Sequence, residues 1–300
     1  MLHGGALHPL FSMKAGYIAI IGQPNVGKST LLNRLMQFRL SIVTAKPQTT
    51  RQRILGILTQ DEYQCYFLDT PGIIDPVYEL QHTMVEHIKR SLADADIIVW
   101  VLDPWFNPDA TLPDFMRMFK ARPVICAINK IDLRPKNDLL AVIEHLRAYT
   151  IKEIIPISAR NGDGIDRLKA CIFNYLPEGP FLYPAEDLSD NPERFFVAEI
   201  IRETIFQYYK KEVPYATCVA IDQFDEHDIG KDYIRAIIYV ERKTQKGILI
   251  GNKGEALKQV GKRARQKIET FLGRPVFLEL WVKVKENWRK DKKFLKEIGY

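Results

Sequence analysis

Apolar runs and mixed segments alternate along the first 175 residues of the chain. Strand-like runs occupy Tyr17 to Ile21, Ile54 to Leu58, Tyr63 to Leu68, Ile97 to Leu102, Val124 to Ile128 and Ile154 to Ile157. Helical periodicity starts near Lys28, Gln81, Leu112, Asp138 and Gly164. That alternation predicts an α/β domain whose six-stranded, mostly parallel sheet is covered on both faces. The runs at Ile54 and Tyr63, separated by Thr59-Gln-Asp-Glu62, predict an antiparallel hairpin instead.

Leu176 to Pro184 interrupts the pattern with three prolines, and Glu186 to Asn191 is acidic and polar. A domain boundary is expected there, with residues 1–15 an N-terminal extension, 16–178 the first domain, 179–194 a linker and 195–300 a second, α+β domain. The second domain reads as a helix from about Pro192 to Lys210, strands near Thr217 to Ile221 and Tyr233 to Val240, a glycine turn at Gly251, and a helix through Phe271. A strand from Pro275 to Val284 and a final basic helix complete it.

Composition supports this division. With 300 residues, 46% hydrophobic and 27% charged, the chain has the balance of a folded soluble protein, and it is long enough for two cores. The formal net charge of +6 is unevenly placed: residues 241–300 hold 17 Lys+Arg against 7 Asp+Glu. A basic C-terminal end suits a partner rich in phosphate. Cys65, Cys126, Cys171 and Cys218 show no C-x-x-C spacing and read as core thiols in a reducing compartment. No apolar run approaches the roughly 18 residues a membrane span needs, and the first 14 residues lack the form of a secretion signal, so a cytoplasmic location is expected. Residues 1–12 read as an extension or an upstream start, disordered and dispensable.

The candidate chemistry begins at Gly22-Gln-Pro-Asn-Val-Gly-Lys-Ser29, which follows a strand and opens a helix. In that setting backbone N–H groups and the helix N-terminus ring a β-phosphate, Lys28 reaches the β- and γ-oxygens, and Ser29 ligates Mg²⁺. Gly22, Asn25, Val26, Gly27, Lys28, Ser29 and Thr30 are the candidate phosphate-binding residues. In Asp69-Thr-Pro-Gly72, Asp69 can hold Mg²⁺ through water and the Gly72 N–H can meet a γ-phosphate. Asn129-Lys-Ile-Asp132 ends another strand at the same sheet edge, where Asp132 can accept from the N1–H and N2–H₂ of guanine while Lys130 packs along the base. Ser158-Ala159 can back the base with a main-chain N–H.

These elements, with Pro47-Gln-Thr-Thr-Arg51 between the loop and Asp69, resemble the translation-factor-like class of P-loop GTPases. The resemblance implies that Thr50, with Thr49 as the alternative, closes over Mg²⁺ when a γ-phosphate is present. It makes residues 38–53 and 70–90 the two switch segments, and Lys28, Thr50 and Gly72 the residues closest to the chemistry. Ile73 stands where Ras-like enzymes carry a water-orienting glutamine, so slow intrinsic hydrolysis is expected. Related GTPases with an asparagine like Asn25 bind K⁺ beside the phosphates; the competing role for Asn25 is as a loop cap.

In the second domain, Ile248-Leu-Ile-Gly-Asn-Lys-Gly-Glu-Ala-Leu-Lys-Gln-Val-Gly261 sets a G-x-x-G turn between helical stretches. Such a turn lets backbone approach nucleic-acid phosphates while an apolar groove holds unstacked bases, the arrangement of a type 2 KH domain reading single-stranded RNA. Ile250, Gly251, Asn252, Lys253, Gly254, Lys258, Lys262, Arg263 and Arg265 are the candidates, although one helix cannot aim all of them alike. Trp281 and Trp288 are candidate base stackers, Trp281 in its alternating strand reading more readily as core. The basic helix after Trp288 suits RNA, an anionic membrane surface or solvent.

A GTPase domain followed by a type 2 KH domain, with Glu199-Ile-Ile-Arg-Glu203 and Glu212-Val-Pro214, resembles the bacterial Era GTPase family over almost the whole chain. The resemblance implies GTP and GDP as ligands with Mg²⁺. It also implies binding near the 3′ end of 16S ribosomal RNA, a role in 30S subunit maturation, a monomeric state, and peripheral association with the inner membrane. Two other readings compete: an RNA-binding module whose nucleotide domain is only a structural clamp, and an ATP-driven enzyme.

Overall fold

The computed structural model describes residues 13–106, 117–119 and 122–300, without the side chains of 136–138. Strands β1 (Lys14–Ile21), β2 (Ile54–Gln60), β3 (Tyr63–Asp69), β4 (Ile97–Leu102), β5 (Val124–Ile128) and β6 (Glu153–Pro156) form one sheet in the order β2-β3-β1-β4-β5-β6. Every pairing is parallel except β2 with β3, the hairpin read from the 59–62 separator. β4, Ile-Ile-Val-Trp-Val-Leu, is buried along its whole length. Helices α1 (Lys28–Met36) and α4 (Ile165–Tyr175) cover one face through Leu31, Leu35, Leu168 and Ile172. The other face lies under α2 (Glu79–Asp94) and α3 (Lys136–Leu146) through Ile88, Leu92 and Leu146. β1 starts at Lys14, inside the expected extension, because Lys14 and Ala15 already pair with Tyr63 and Gln64 of β3. Residues 1–12 and the helix expected from Leu112 lie outside the described residues.

The second half contains α5 (Glu193–Tyr208), β7 (Cys218–Asp225), β8 (Asp232–Val240), α6 (Lys243–Ile250), α7 (Glu255–Leu272), β9 (Val276–Val284) and α8 (Lys292–Glu297). Its sheet runs β7-β8-β9, with β7 antiparallel and β9 parallel to β8. Alternate residues Ile234, Ala236 and Ile238 of β8 pack against Val197 and Ile201 of α5 and Val260, Ala264 and Ile268 of α7. The other face of this sheet is only partly covered, and two expectations fail there. Trp281, read as core, is 51% exposed, because it projects from the uncovered face of an edge strand. Trp288, read as a base stacker, is fully buried, and its indole N–H donates to the Ala216 carbonyl at 2.9 Å.

The two halves meet along residues 179–194, at an apolar joint, and at the 38–53 segment. Residues 179–194 lie along the β2-β3 hairpin: Gln64 Nε2 donates to the Tyr183 carbonyl, Leu182 N to the Tyr66 hydroxyl, and Ile57 N to the Leu188 carbonyl. This covers an edge strand that would otherwise expose unpaired amides. A separate apolar joint places Leu80 and Met84 of α2 against Cys218, Trp288, Phe294 and Leu295. All four cysteines are free and buried, and among the described residues no helix is long and apolar enough to cross a membrane.

Candidate functional site

The carboxyl ends of β1, β3, β5 and β6 open onto one cleft of about 700 Å³. Gly22 leaves β1 against Val101 of β4, where a β-carbon would lie 2.2 Å from the Val101 carbonyl oxygen. The loop then turns through Asn25 (φ 65) and Gly27 (φ 100) into α1, whose N-terminus has no side-chain cap. Its first-turn amides therefore face the cleft with Lys28, Ser29 and Thr30. The Lys28 ammonium donates to the Gly22 and Gln23 carbonyls, and burial lowers it to about 8 while Asp69 pulls the other way. Asn25 is exposed and lines the cleft, so it caps nothing.

Three segments distant in sequence meet beside this loop. Ser29 Oγ donates to Asp69 Oδ2 at 2.7 Å and lies 2.8 Å from Thr50 Oγ1. Ser41 Oγ, which belongs to no motif, reaches the same carboxylate oxygen at 2.8 Å. Asp69 Oδ1 is buried without a partner, and burial raises this carboxyl group despite the hydroxyls on its other oxygen. A buried orphan oxygen next to two hydroxyls is a hard, all-oxygen donor set of the kind Mg²⁺ prefers. Thr49 is turned elsewhere, toward Thr44 and the Lys46 carbonyl. Gly72 packs on Pro24 so closely that a β-carbon would lie 2.7 Å from it, and Ile73 turns into the core beneath α2.

The far end of the cleft is built by mutual support. Asn129 Nδ2 donates to the Val26 carbonyl and its Oδ1 accepts from Ala159 N, tying the phosphate loop to the loop after β6. Lys130 adopts φ 63 and starts a short 3-10 turn that leaves Asp132 exposed to the cleft, its Oδ1 fixed by Ser158 Oγ at 2.7 Å. Lys130, Asp132 and Ala159 line the wall; Val26 and Ser158 support it from behind. Leu133 and Arg160 also line it and were not legible as site residues.

The second candidate site lies on the other half. Gly251 (φ 73), Lys253 (φ 49) and Gly254 (φ 82) all take positive φ between α6 and α7, and a β-carbon at Gly251 would lie 2.5 Å from Ala256 Cβ. This tight turn leaves Asn252 and Lys253 exposed. Lys258 and Lys262, one turn apart on α7, are exposed as well. Arg263 instead packs over Tyr208, and Arg265 pairs with Glu269, so the nine candidate residues do not form one surface. Ile250, Leu257, Leu278 and Leu280 form a half-buried apolar strip between the helices and β9. Phe294 and Leu295 of α8 are buried in the inter-domain joint, so that helix shows solvent mainly its lysines.

Residues 17–130 match the family model described as a 50S ribosome-binding GTPase, and residues 212–289 match the KH domain model. GTPase Era of Lactobacillus helveticus (strain DPC 4571) is 47% identical over 290 residues, 96% of each chain. The chain belongs to the Era GTPase family. It is accordingly a GTPase with a P-loop domain and a KH domain. GTPase Era of Geobacter sp. (strain M21) is 44% identical, covering 96% of this chain and 98% of its own. A solved Aquifex aeolicus Era variant bound to GDP.AlF4- superposes with a TM-score of 0.91 at 43% identity, covering 96% and 99% of the two chains. An Era complex with MgGDPNP and nucleotides 1506–1542 of 16S ribosomal RNA has the same TM-score, identity and coverage.

In this Era family member the 38–53 segment touches both halves. Thr50 faces Ser29, and the next residue, Arg51, is 3% exposed and donates to the Thr217 carbonyl at 2.7 Å and the Tyr215 carbonyl at 3.0 Å. Its guanidinium also lies over the Phe206 and Trp288 rings. Val43 N donates to buried Glu203, which also pairs with Lys267 of α7.

Proposed function

We propose that this chain is a GTP-controlled grip on single-stranded RNA near the 3′ end of 16S ribosomal RNA, and that it assists maturation of the 30S subunit. Residues 16–178 act as the nucleotide domain and 195–300 as the RNA domain. The observation that carries the switch is the adjacency of Thr50, at the candidate metal site, and Arg51, inside the joint with the KH domain. The solved Era complex containing both a GTP analogue and a 16S fragment supports the choice of ligands.

Asn129 and Asp132 select guanine, and Lys28 with the amides of Gly27 to Thr30 holds the phosphates. Ser29 and Thr50, with Asp69 through water, would hold Mg²⁺, which would supply neutralising charge to the phosphates. The Gly72 amide faces the γ-phosphate, and loss of that phosphate releases Thr50 and with it the Arg51 contacts. The docked arrangement leaves Asn252 and Lys253 open to solvent, so RNA binding and a closed 38–53 segment are compatible. Crosslinking to whole-cell RNA tests the reading: with a GTP analogue, contacts should gather in single-stranded RNA near the 16S 3′ end, and with GDP they should thin out. A uniform spread in both states would refute it.

Hydrolysis is slow because Ile73, half-buried against the core, offers no group to orient water. Asn25, uncapped and facing the phosphate cleft, is proposed to hold K⁺ there in place of an arginine finger. Hydrolysis should then run about tenfold or more faster in KCl than in NaCl, since a cation at that position is a transition-state charge worth several kcal/mol. Asn25→Ala should abolish the difference; equal rates in both salts would exclude a K⁺ role.

A further inference from the structure

On the face of the KH sheet away from α5 and α7, one end is closed, where Tyr239 packs edge-on against Phe294 of α8. The other end is open, and Phe277 and Trp281 of β9 are 56% and 51% exposed there. Exposed rings on an edge strand invite misassociation unless they serve a partner. These two are held in place. Phe277 stacks on Tyr233 with centroids 5.9 Å apart and planes 12° apart, and Trp281 sits opposite Ile237 of β8. Glu279 lies between them on the same face and accepts from the Tyr233 hydroxyl. Lys283 follows, exposed, two residues beyond Trp281.

Among the described residues β9 pairs only with β8, and its other edge borders the apolar strip under the GNKG turn. Gly261 of α7 faces Leu280 of β9 at ordinary van der Waals distance. An RNA strand leaving the strip over this edge reaches the open face directly. We propose that Phe277, Glu279 and Trp281 form a second single-stranded RNA subsite, taking nucleotides that continue beyond the GNKG turn. Two bases stack on the rings, Glu279 accepts from a base amino group, and Lys283 meets a phosphate.

The rings are about 13 Å apart along the strand, which leaves room for a base on each with one between. A lysine at the end of the shelf and the basic excess of residues 241–300 favour a polyanion over an apolar protein face. Tyr233 holds the Glu279 carboxyl below its ordinary range, so it is ionised at neutral pH. An ionised carboxylate only accepts, so Glu279 takes a donor on the base edge, such as the amino group of cytosine, adenine or guanine.

The inference rests on the RNA reading of the GNKG turn, and the test separates the two. The full chain, loaded with GTP analogue and Mg²⁺, is titrated with a labelled ten-nucleotide single strand, and a four-nucleotide strand is measured by competition. Trp281→Ala and Phe277→Ala should each weaken the ten-nucleotide strand about tenfold and leave the four-nucleotide strand within about twofold, while Trp281→Phe retains most of the affinity. Lys253→Glu should weaken both lengths. Unchanged ten-nucleotide binding in Trp281→Ala would assign the face to a protein partner and overturn the proposal, as would equal losses at both lengths, which indicate a structural role. If wild type binds neither strand, the RNA reading itself fails and takes this inference with it.

Discussion

Asp132→Asn is expected to lower GTP affinity by about 10³-fold or more and to transfer preference to xanthosine triphosphate, because a site built for hydrogen bonds rejects a ligand that leaves them unpaired. Asp132 offers two acceptors, and Ser158 Oγ fixes one of them at 2.7 Å. In the variant that hydroxyl keeps the amide oxygen in place and turns the new NH₂ toward position 2 of the base. Guanine carries an amino group there, so two donors collide; xanthine carries a carbonyl, so a hydrogen bond forms. Asn129 is untouched and still ties Val26 to Ala159, so the cleft keeps its shape. Displacement of a fluorescent nucleotide by GTP, xanthosine triphosphate and ATP measures the change. An unaltered nucleotide preference would instead support an ATP-driven enzyme.

Arg51→Ala is expected to leave GDP affinity within about threefold while removing most of the difference in RNA affinity between the GTP-analogue and GDP states. Coupling between sites is commonly worth 5- to 150-fold, and here one peptide bond joins Thr50 to Arg51, whose guanidinium is hydrogen-bonded to the KH half. The truncation strands the Thr217 and Tyr215 carbonyls and empties the space between Phe206 and Trp288. Losing charge-assisted hydrogen bonds in a buried joint costs about 1.5–3 kcal/mol each, enough to let the KH domain ignore the nucleotide. Arg51→Lys, which can satisfy one carbonyl, should fall between. RNA affinities measured in both nucleotide states decide the matter, with thermal melting as a control for folding.

The nucleotide cleft was largely legible in the sequence, because its parts are short contiguous motifs at strand ends whose backbone geometry depends on glycines and local turns. Gly22 to Ser29, Asp69 and Asn129 to Asp132 all converge as read. What was hidden depends on segments that meet only in three dimensions. Ser41 carries no motif, and Arg51 finds its partner 166 residues away. The tryptophans show the same limit. Alternation in β9 assigns Trp281 to one face but not whether anything covers that face, and Trp288 is buried because α2, α8 and Cys218 of β7 close around it. Basic spacing on α7 likewise could not show that Arg263 is spent on Tyr208 and Arg265 on Glu269.

The central claim is that nucleotide and RNA report on one another through the joint at Arg51. Affinity of wild-type protein for a single strand from the 16S 3′ end, measured with a GTP analogue and with GDP, tests it most directly. Binding should be tighter by about fivefold or more with the GTP analogue, and affinity for the analogue should rise by an equal factor when RNA is added. Identical RNA affinity in the two nucleotide states would contradict it and leave the nucleotide domain as a structural clamp.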